Sequence, residues 1–460
     1  MSLPGLQLSA PVETFVAPTV HDLKEETEWR FEVAFGAKIE VRLLSGNAEL
    51  FGTELAQKQS YTFSGTKAAI YTWYGCSLEV VGDCQVEYIA EETPMTSYAN
   101  LHFALENLRD EAVTHGQDGP RVLVLGPENA GKTSLTKLLT AYATRAGRQP
   151  VAVNLDTKEA MLSIPGSISA TTFSSIIDVE EGWGSSPTNG PTAVPVKLPL
   201  VYYIGLANPE DKTLVYKSII TRLALSVMNR LQDDTEAKAT GCVIDTPGLI
   251  SQGKGGYEVV QHTVSEFSVS VIVILGSERL YSDMVRRFNG QKTSSGETIA
   301  VIKLDKSGGC VDRDETYLEQ LRQSQIREYF FGDAKSTLSP HTQQIDFDSV
   351  TIYKLAESSD LLTSLLPGDF TEDTDGAPPP IFSQVSPSPQ MQNAIVAIVH
   401  ADPNDSQENI RDASVIGFIF VAEVDEKRRK MKVLAPLSGR LPNKAMVWGA
   451  WPEGEAGLVG

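Results

Sequence analysis

Cysteine and histidine are scarce in this chain. The four cysteines, Cys76, Cys84, Cys242 and Cys310, form no C-x-x-C pair, and the six histidines show no ligand spacing. That excludes a zinc site of the usual sequence pattern and points to reduced thiols in an intracellular protein. Positive charge is also in deficit, with 39 Lys and Arg against 59 Asp and Glu and a formal net charge of -20. General nucleic-acid binders draw most of their non-specific affinity from a basic surplus, so any RNA contact is expected to be local, weak or made through partners. Long apolar runs are missing as well. The longest, Val269 to Leu275 and Val415 to Val421, fall far short of the ~20 residues of a membrane helix and read as buried strands, so no membrane partner is expected. Near Met1 no basic region precedes an apolar core, and no secretory signal is expected.

What is present is a globular composition, 41% apolar and 21% charged, spread over 460 residues. That is too long for a single core, and about three domains are expected. The organising stretch is Val122-Leu-Val-Leu-Gly126-Pro-Glu-Asn-Ala-Gly131-Lys132-Thr133-Ser134. It matches G-x-x-x-x-G-K-[ST] at every fixed position, between a strand-like run and a helix-like one. Such a loop closes backbone N-H groups around an anion while the next helix aims its positive end at the same point. Gly126 and Gly131 supply backbone freedom, Lys132 is expected on the β- and γ-phosphates, and the Thr133 hydroxyl on Mg2+. The pattern is silent on whether the nucleotide is consumed.

Before the loop, short alternating segments from Glu28 to Ile89 predict a small antiparallel β-sandwich or barrel. Leu101 to Thr114 reads as a helix with Leu101, Leu105 and Leu108 on one face. After the loop the chain takes a βαβ rhythm, with at least five parallel strands. Pro150 to Leu155 is a strand that ends at Asp156, which is either a ligand-facing acid at a strand end or a helix N-cap. Residues 182–195 read as a loop, and Gly241 to Asp245 as a strand leading into Thr246-Pro-Gly248. That element suggests a GTPase with Asp245 near Mg2+, but no N-K-x-D element follows Thr298 to Ile302, which argues against guanine. Arg313 to Phe331 reads as a charged helix able to cover the phosphates, and an arginine there either neutralises transition-state charge or sits on a solvated face. Residues 364–390 are acidic and proline-rich and read as a linker, followed by a further β module. Its Lys427 to Lys430 is an RNA-phosphate contact or a solvated hairpin tip.

Taken together, these stretches resemble one family, the ATP-binding subunit of the eukaryotic mRNA 3'-end cleavage and polyadenylation machinery, related to polyribonucleotide 5'-hydroxyl kinases. The resemblance is carried by Thr27 to Val33, Ala48 to Leu55, Trp73 to Cys76, Gly126 to Thr133, Ile164 to Gly166, Asp178 to Gly182, Glu278 to Tyr281, Lys306 to Gly309, Ile326 to Tyr329 and Ser414 to Ile419, nearly the whole chain. It implies an α/β fold in which a P-loop kinase-like parallel sheet is flanked by an N-terminal β-sandwich and a small C-terminal α/β or mostly β domain. The expected domains are a flexible arm at 1–20, a β domain at 21–105, an ATP-binding domain at 106–332, and a C-terminal domain at 333–460 with an acidic loop at 367–390.

The same resemblance implies ATP and Mg2+ as cofactors. It places Glu28 and Lys67 on the nucleotide; with the loop motif, the expected phosphate residues are Gly126, Asn129, Ala130, Gly131, Lys132, Thr133 and Ser134, and the candidate metal ligands are Thr133, Asp156 and, from the Asp-Thr-Pro-Gly element, Asp245. Active kinases of the group have an aspartate base, a glutamine three positions later, a base-stacking tryptophan and paired lid arginines. Here Asp156 and Arg313 match, but Glu159 stands at the glutamine position, Leu249 at the tryptophan and Leu318 at the second arginine. The resemblance therefore implies a nuclear, fungal-type scaffold that holds ATP-Mg without turnover. Its expected partners are other cleavage-factor subunits, including the scaffold subunit that binds the RNA polymerase II tail. The alternative is an active ATP-dependent RNA 5'-hydroxyl kinase with Asp156 and Arg313 as catalytic residues.

Overall fold

A computed structural model describes residues 17–159, 161–180, 199–208, 212–248, 256–332, 337–355, 381–436, 438–452 and 458. Outside them lie most of the arm read over 1–20, the loop at 182–195, Leu249, and residues 367–380 of the acidic stretch. The chain divides into two compact units, one of residues 1–50 with 54–93 and one of residues 51–53 with 94–460.

The first unit is built from short strands: β1 (Thr19–Leu23), β2 (Thr27–Glu32), β3 (Ile39–Gly46), β4 (Glu49–Leu50), β5 (Thr53–Glu54), β6 (Ser60–Phe63), β7 (Lys67–Thr72), β8 (Cys76–Val81) and β9 (Val86–Ala90). They form a four-stranded sheet, β1-β8-β3-β6, and a five-stranded one, β5-β4-β7-β2-β9. Alternation in Thr-Glu-Trp-Arg-Phe-Glu turns Trp29 and Phe31 to one face of β2 and Glu28, Arg30 and Glu32 to the other. Trp29 stacks on Phe31 at 4.5 Å between ring centres, and Phe31 meets Phe63 of the facing sheet at 5.4 Å. Both β2 aromatics are almost completely buried, and each such burial contributes about 1.5 to 3 kcal/mol.

The second unit opens with α1 (Met95–His115), longer than the helix read from Leu101. Its buried residues include Leu101, His102, Leu105, Arg109 and Ala112, whereas Leu108 is 42% exposed. The buried arc is centred toward His102 and Arg109, which leaves Leu108 at its edge. Next come β10 (Arg121–Leu125), α2 (Lys132–Arg145), β11 (Val151–Asn154), β12 (Ser167–Thr172), β13 (Leu200–Tyr203), α3 (Thr213–Asp233), α4 (Thr235–Thr240), β14 (Cys242–Asp245), α5 (Gly256–Glu266), β15 (Val271–Leu275), α6 (Glu278–Phe288), β16 (Ala300–Leu304) and α7 (Glu315–Phe331).

The sheet order is β13-β12-β11-β14-β10-β15-β16. Strands β11, β14, β10, β15 and β16 pair in parallel, giving the expected five. The strand missed by the sequence reading is β12, which runs against both its neighbours. Every residue of β10, β11, β14 and β15 is buried, as expected for a parallel sheet covered on both faces. Its β10 end, where the strand order reverses, is the natural ligand crevice of such a sheet.

The remaining strands are β17 (His341–Asp346), β18 (Thr351–Leu355), β19 (Phe382–Val385), β20 (Ile395–Val399), β21 (Val415–Asp425), β22 (Lys430–Ala435) and β23 (Ala445–Trp448), with a short α8 (Gln407–Arg411). They make a mixed sheet, β17-β22-β21-β20-β23-β18-β19. Here Phe382–Val385, inside the stretch read as linker, is an edge strand paired with β18. This sheet packs on α7 and β13: the Tyr329 hydroxyl accepts from the Phe418 N-H at 2.9 Å, and the Tyr203 hydroxyl donates to the Trp451 carbonyl at 2.8 Å. The basic run Lys427 to Lys430 lies at the β21-β22 turn. There Arg428, Arg429 and Lys430 pair with Asp425, Asp348 and Asp346, so it is a hairpin tip balanced by local acids.

Candidate functional site

The loop between β10 and α2 holds Gly126, Asn129, Ala130, Gly131, Lys132, Thr133 and Ser134 together by chain continuity, and its backbone shape is specific. Asn129 has φ +55° and Gly131 φ +86°, so two residues of the turn are left-handed and bend the chain into a concave nest. Gly131 caps α2 in that conformation. A Cβ placed on it would lie 2.7 Å from the Cys310 Sγ, and one on Gly126 would lie 3.0 Å from the Leu275 carbonyl oxygen. Both loop glycines are therefore needed for space, and Gly131 also for conformation.

Two carboxyl side chains, Asp156 and Asp245, approach this loop from the ends of neighbouring strands, beside the Thr133 hydroxyl of α2 itself. The Thr133 hydroxyl donates to Asp245 Oδ2 at 2.6 Å, and Asp245 Oδ1 accepts from the Thr246 N-H at 3.0 Å. Asp156, just past β11, accepts from the N-H groups of Lys158 and Glu159 at 2.9 and 3.3 Å, a capping turn with no helix after it. Among the described residues no helix follows directly, so Asp156 is not a helix N-cap: its carboxyl closes a turn at a strand end beside the loop. Lys132 Nζ donates to the Pro127 carbonyl at 2.9 Å and, among the described residues, meets no carboxylate at salt-bridge distance. A loop nest, an ammonium not committed to an acid and hard oxygen donors fit a Mg-nucleotide. When bound, the metal would neutralise charge on the β- and γ-phosphates. Thr133, Asp245 and Asp156 would hold it, and Lys132 would meet phosphate oxygens.

Packing these acids together has an electrostatic cost. Burial raises the Asp245 carboxyl to about 6, opposed by Lys132 and by the Thr133 hydrogen bond. Asp156 is raised in the same direction by burial first and by Glu159 second, with Lys132 opposing. A carboxyl with a raised pKa makes the folded chain retain protons that the unfolded chain releases. The stability these two groups contribute is therefore fully present below the unfolded carboxyl value of about 4 and is lost as pH rises through the folded values. Thermal melts of nucleotide-free protein are expected to fall between about pH 4 and about pH 7, and Mg-nucleotide is expected to flatten the slope. A nucleotide-free melting temperature that climbs over that window would refute this placement of the two acids.

The arginine ahead of α7 is not on a solvated face. Arg313 Nε donates to Asn129 Oδ1 at 2.9 Å, and its two terminal nitrogens donate to the two carboxylate oxygens of Glu159 at 2.7 and 2.6 Å. This fork links the phosphate loop, the turn after β11 and the approach to α7, and the sequence reading of separate positions missed it. Glu159 and Arg313 also line a cavity of about 290 Å³ with Leu318, Leu321, Arg322 and Trp451. Leu318, where the kinases have a second lid arginine, gives that wall an apolar patch. In the first unit, Glu28 forms an ion pair with Arg30 at 2.5 Å and accepts from Thr93 at 3.1 Å. Lys67 pairs with Glu32, its cross-strand neighbour, at 2.6 Å.

The fold and this loop define a P-loop nucleotide-binding protein of kinase-like architecture. Residues 126–332 match the P-loop domain of mRNA cleavage and polyadenylation factor CLP1, residues 22–112 the N-terminal beta-sandwich domain of polyadenylation factor, and residues 338–453 the pre-mRNA cleavage complex II protein Clp1 family. The mRNA cleavage and polyadenylation factor clp1 of Botryotinia fuckeliana is 57% identical, and that of Phaeosphaeria nodorum 51%, each with 100% of both chains covered. The chain belongs to the Clp1 family of mRNA cleavage and polyadenylation factors. A solved structure of wild-type Clp1p with a Pcf11p segment superposes with a TM-score of 0.83 at 30% identity, over 95% of this chain and 99% of that one. A second, with a TM-score of 0.82, concerns the Pcf11p–Clp1p interface and ATP loss in a glycine-to-arginine point mutant of that protein.

Proposed function

We propose that this chain is a nuclear scaffold subunit of the pre-mRNA 3'-end cleavage and polyadenylation complex that holds ATP with Mg2+ without consuming it. Its direct partner on this reading is the counterpart of Pcf11p, the protein bound to the solved relative. The observation that carries the non-turnover part is the Arg313 fork on Glu159. The lid cation that would meet the transferring phosphoryl group is neutralised by an acid at 2.6 Å, and loss of such a cation lowers phosphoryl transfer by several powers of ten. Leu318 in the cavity wall removes a second cation. Bound ATP then acts thermodynamically, stabilising the folded state by about 4 kcal/mol when free ligand is ~1,000 times its dissociation constant. The residues on which this reading places the nucleotide are Gly126 to Ser134 for the phosphates, Asp156 and Asp245 with Thr133 for the metal, and Glu28 and Lys67 for the base.

A second reading, an RNA 5'-hydroxyl kinase, is favoured by one observation: burial and neighbouring acids raise the Asp156 carboxyl, as suits a general base working near neutral pH. One assay separates the two. Purified protein is incubated with γ-labelled ATP and a 5'-hydroxyl RNA, beside an Asp156→Ala control, and nucleotide is extracted from untreated protein. Intact ATP in the extract with no label on the RNA is the expected result. Transfer that disappears in the control would make the chain a kinase.

A further inference from the structure

A cation beside a phosphate loop favours ATP over ADP only when its charge can reach the terminal phosphate. Arg313 is placed to do so, since its Nε already donates to Asn129 within the loop. Its charge is nevertheless spent. Both terminal nitrogens lie on Glu159 in a parallel two-bond fork, with side chains only 22% and 31% exposed, so water does little to loosen the pair. Burial opposes the guanidinium charge and Glu159 is the largest influence sustaining it, with Tyr317 and then Asp156 after it. The acid stands three residues beyond Asp156, in the turn whose N-H groups the Asp156 carboxyl caps.

We propose that Glu159 is a specificity-setting residue, withholding Arg313 from the terminal phosphate of a bound nucleotide and thereby holding the preference for ATP over ADP low. The inference rests on the reading that the loop binds ATP. In chemical terms Glu159 stands in for the γ-phosphate: a fixed carboxylate occupies the donors that the third phosphate would otherwise take. A merely structural tie between two loops would make a different prediction, since its loss would weaken both nucleotides alike or lower stability without touching their ratio.

The test uses the full chain stripped of nucleotide, with dissociation constants for Mg-ATP and Mg-ADP measured by calorimetry. Glu159→Gln keeps the shape and removes the charge. It is expected to raise the ATP-to-ADP affinity ratio about tenfold or more, the scale of one charge-assisted hydrogen bond. Glu159→Ala is expected to act in the same direction, and Glu159→Asp, which keeps the charge, to leave the ratio low. In an Arg313→Ala background Glu159→Gln should change nothing, because the cation it releases is gone. An unchanged ratio in both Glu159→Gln and Glu159→Ala, with wild-type melting temperatures, would overturn the inference alone. A ratio that still rises without Arg313 would overturn it as well. Wild-type protein that binds neither nucleotide would sink the ATP-holding reading together with it.

Discussion

Gly131→Ala is expected to abolish retention of nucleotide, leaving less than about a tenth of the wild-type content in purified protein. Two costs meet at one atom. The residue has φ +86°, where a side chain strains the backbone by about 1 to 3 kcal/mol, and the added methyl would lie 2.7 Å from the Cys310 Sγ. Relief of either pushes the loop away from its nest, and the N-H groups that would face a phosphate turn with it. Loss of a tightly held ligand then removes about 4 kcal/mol of apparent stability at saturating nucleotide. Gly147→Ala is the matched control. It also has positive φ, +79°, but nothing lies within 4 Å of the added methyl and it stands past the end of α2. Its own strain should lower the melting temperature slightly while nucleotide content stays at the wild-type level. Equal nucleotide loss in both variants would show that generic backbone strain, not the shape of the phosphate nest, is responsible.

The parts of the fold that could be read from the sequence are those where one local rule acted alone. Val122 to Leu125 reads as a buried strand and Gly126 and Gly131 as turn positions needing backbone freedom, because an apolar run ending in the loop pattern must leave a sheet and enter a helix within a few residues. Strand β12, Ser-Ile-Ser-Ala-Thr-Thr, is hard to read because four of its six residues carry hydroxyls and Ile168 is its only large apolar side chain. All six are buried all the same, since β11 and β13 flank it and the backbone ladder satisfies it. Strand β17, His-Thr-Gln-Gln-Ile-Asp, was hidden for the opposite reason: as an edge strand it is mostly exposed, so its composition resembles a loop. At the site, Lys132 and Thr133 are legible from the loop motif, Asp156 from the end of the next strand and Asp245 from the Asp-Thr-Pro-Gly element. The Glu159–Arg313 fork was not, because 154 residues separate its members and each was weighed against a family position and not against the other. The available signal was an acid, Glu159, at the glutamine position of a site that keeps the first lid arginine, Arg313.

The buried arginine network was equally invisible, and it supports the second large expected effect. Arg121→Met should destabilise the protein by about 3 kcal/mol or more, as removal of one member of a buried ion pair does. Arg121 opens β10, the strand that feeds the phosphate loop, and its side chain is 1% exposed. Nε donates to the Ser268 carbonyl at 2.8 Å, one terminal nitrogen to Asp118 at 2.8 Å, and the other to Ser295 at 2.9 Å and Glu297 at 3.1 Å. The methionine fills the stem's volume, so the loss measured is that of the guanidinium and not of packing. Asp118 and Glu297, each 31% exposed, can turn to water, which places the cost at the lower end of the range, but the Ser268 carbonyl is left without its donor. The loss should have the same size in nucleotide-free and nucleotide-loaded protein, because the network lies at the opposite end of β10 from the loop. Gly131→Ala should instead lower the loaded protein far more than the free one. Denaturant titrations of both variants in both states check this, and a change below about 1 kcal/mol for Arg121→Met would show that the network is dispensable.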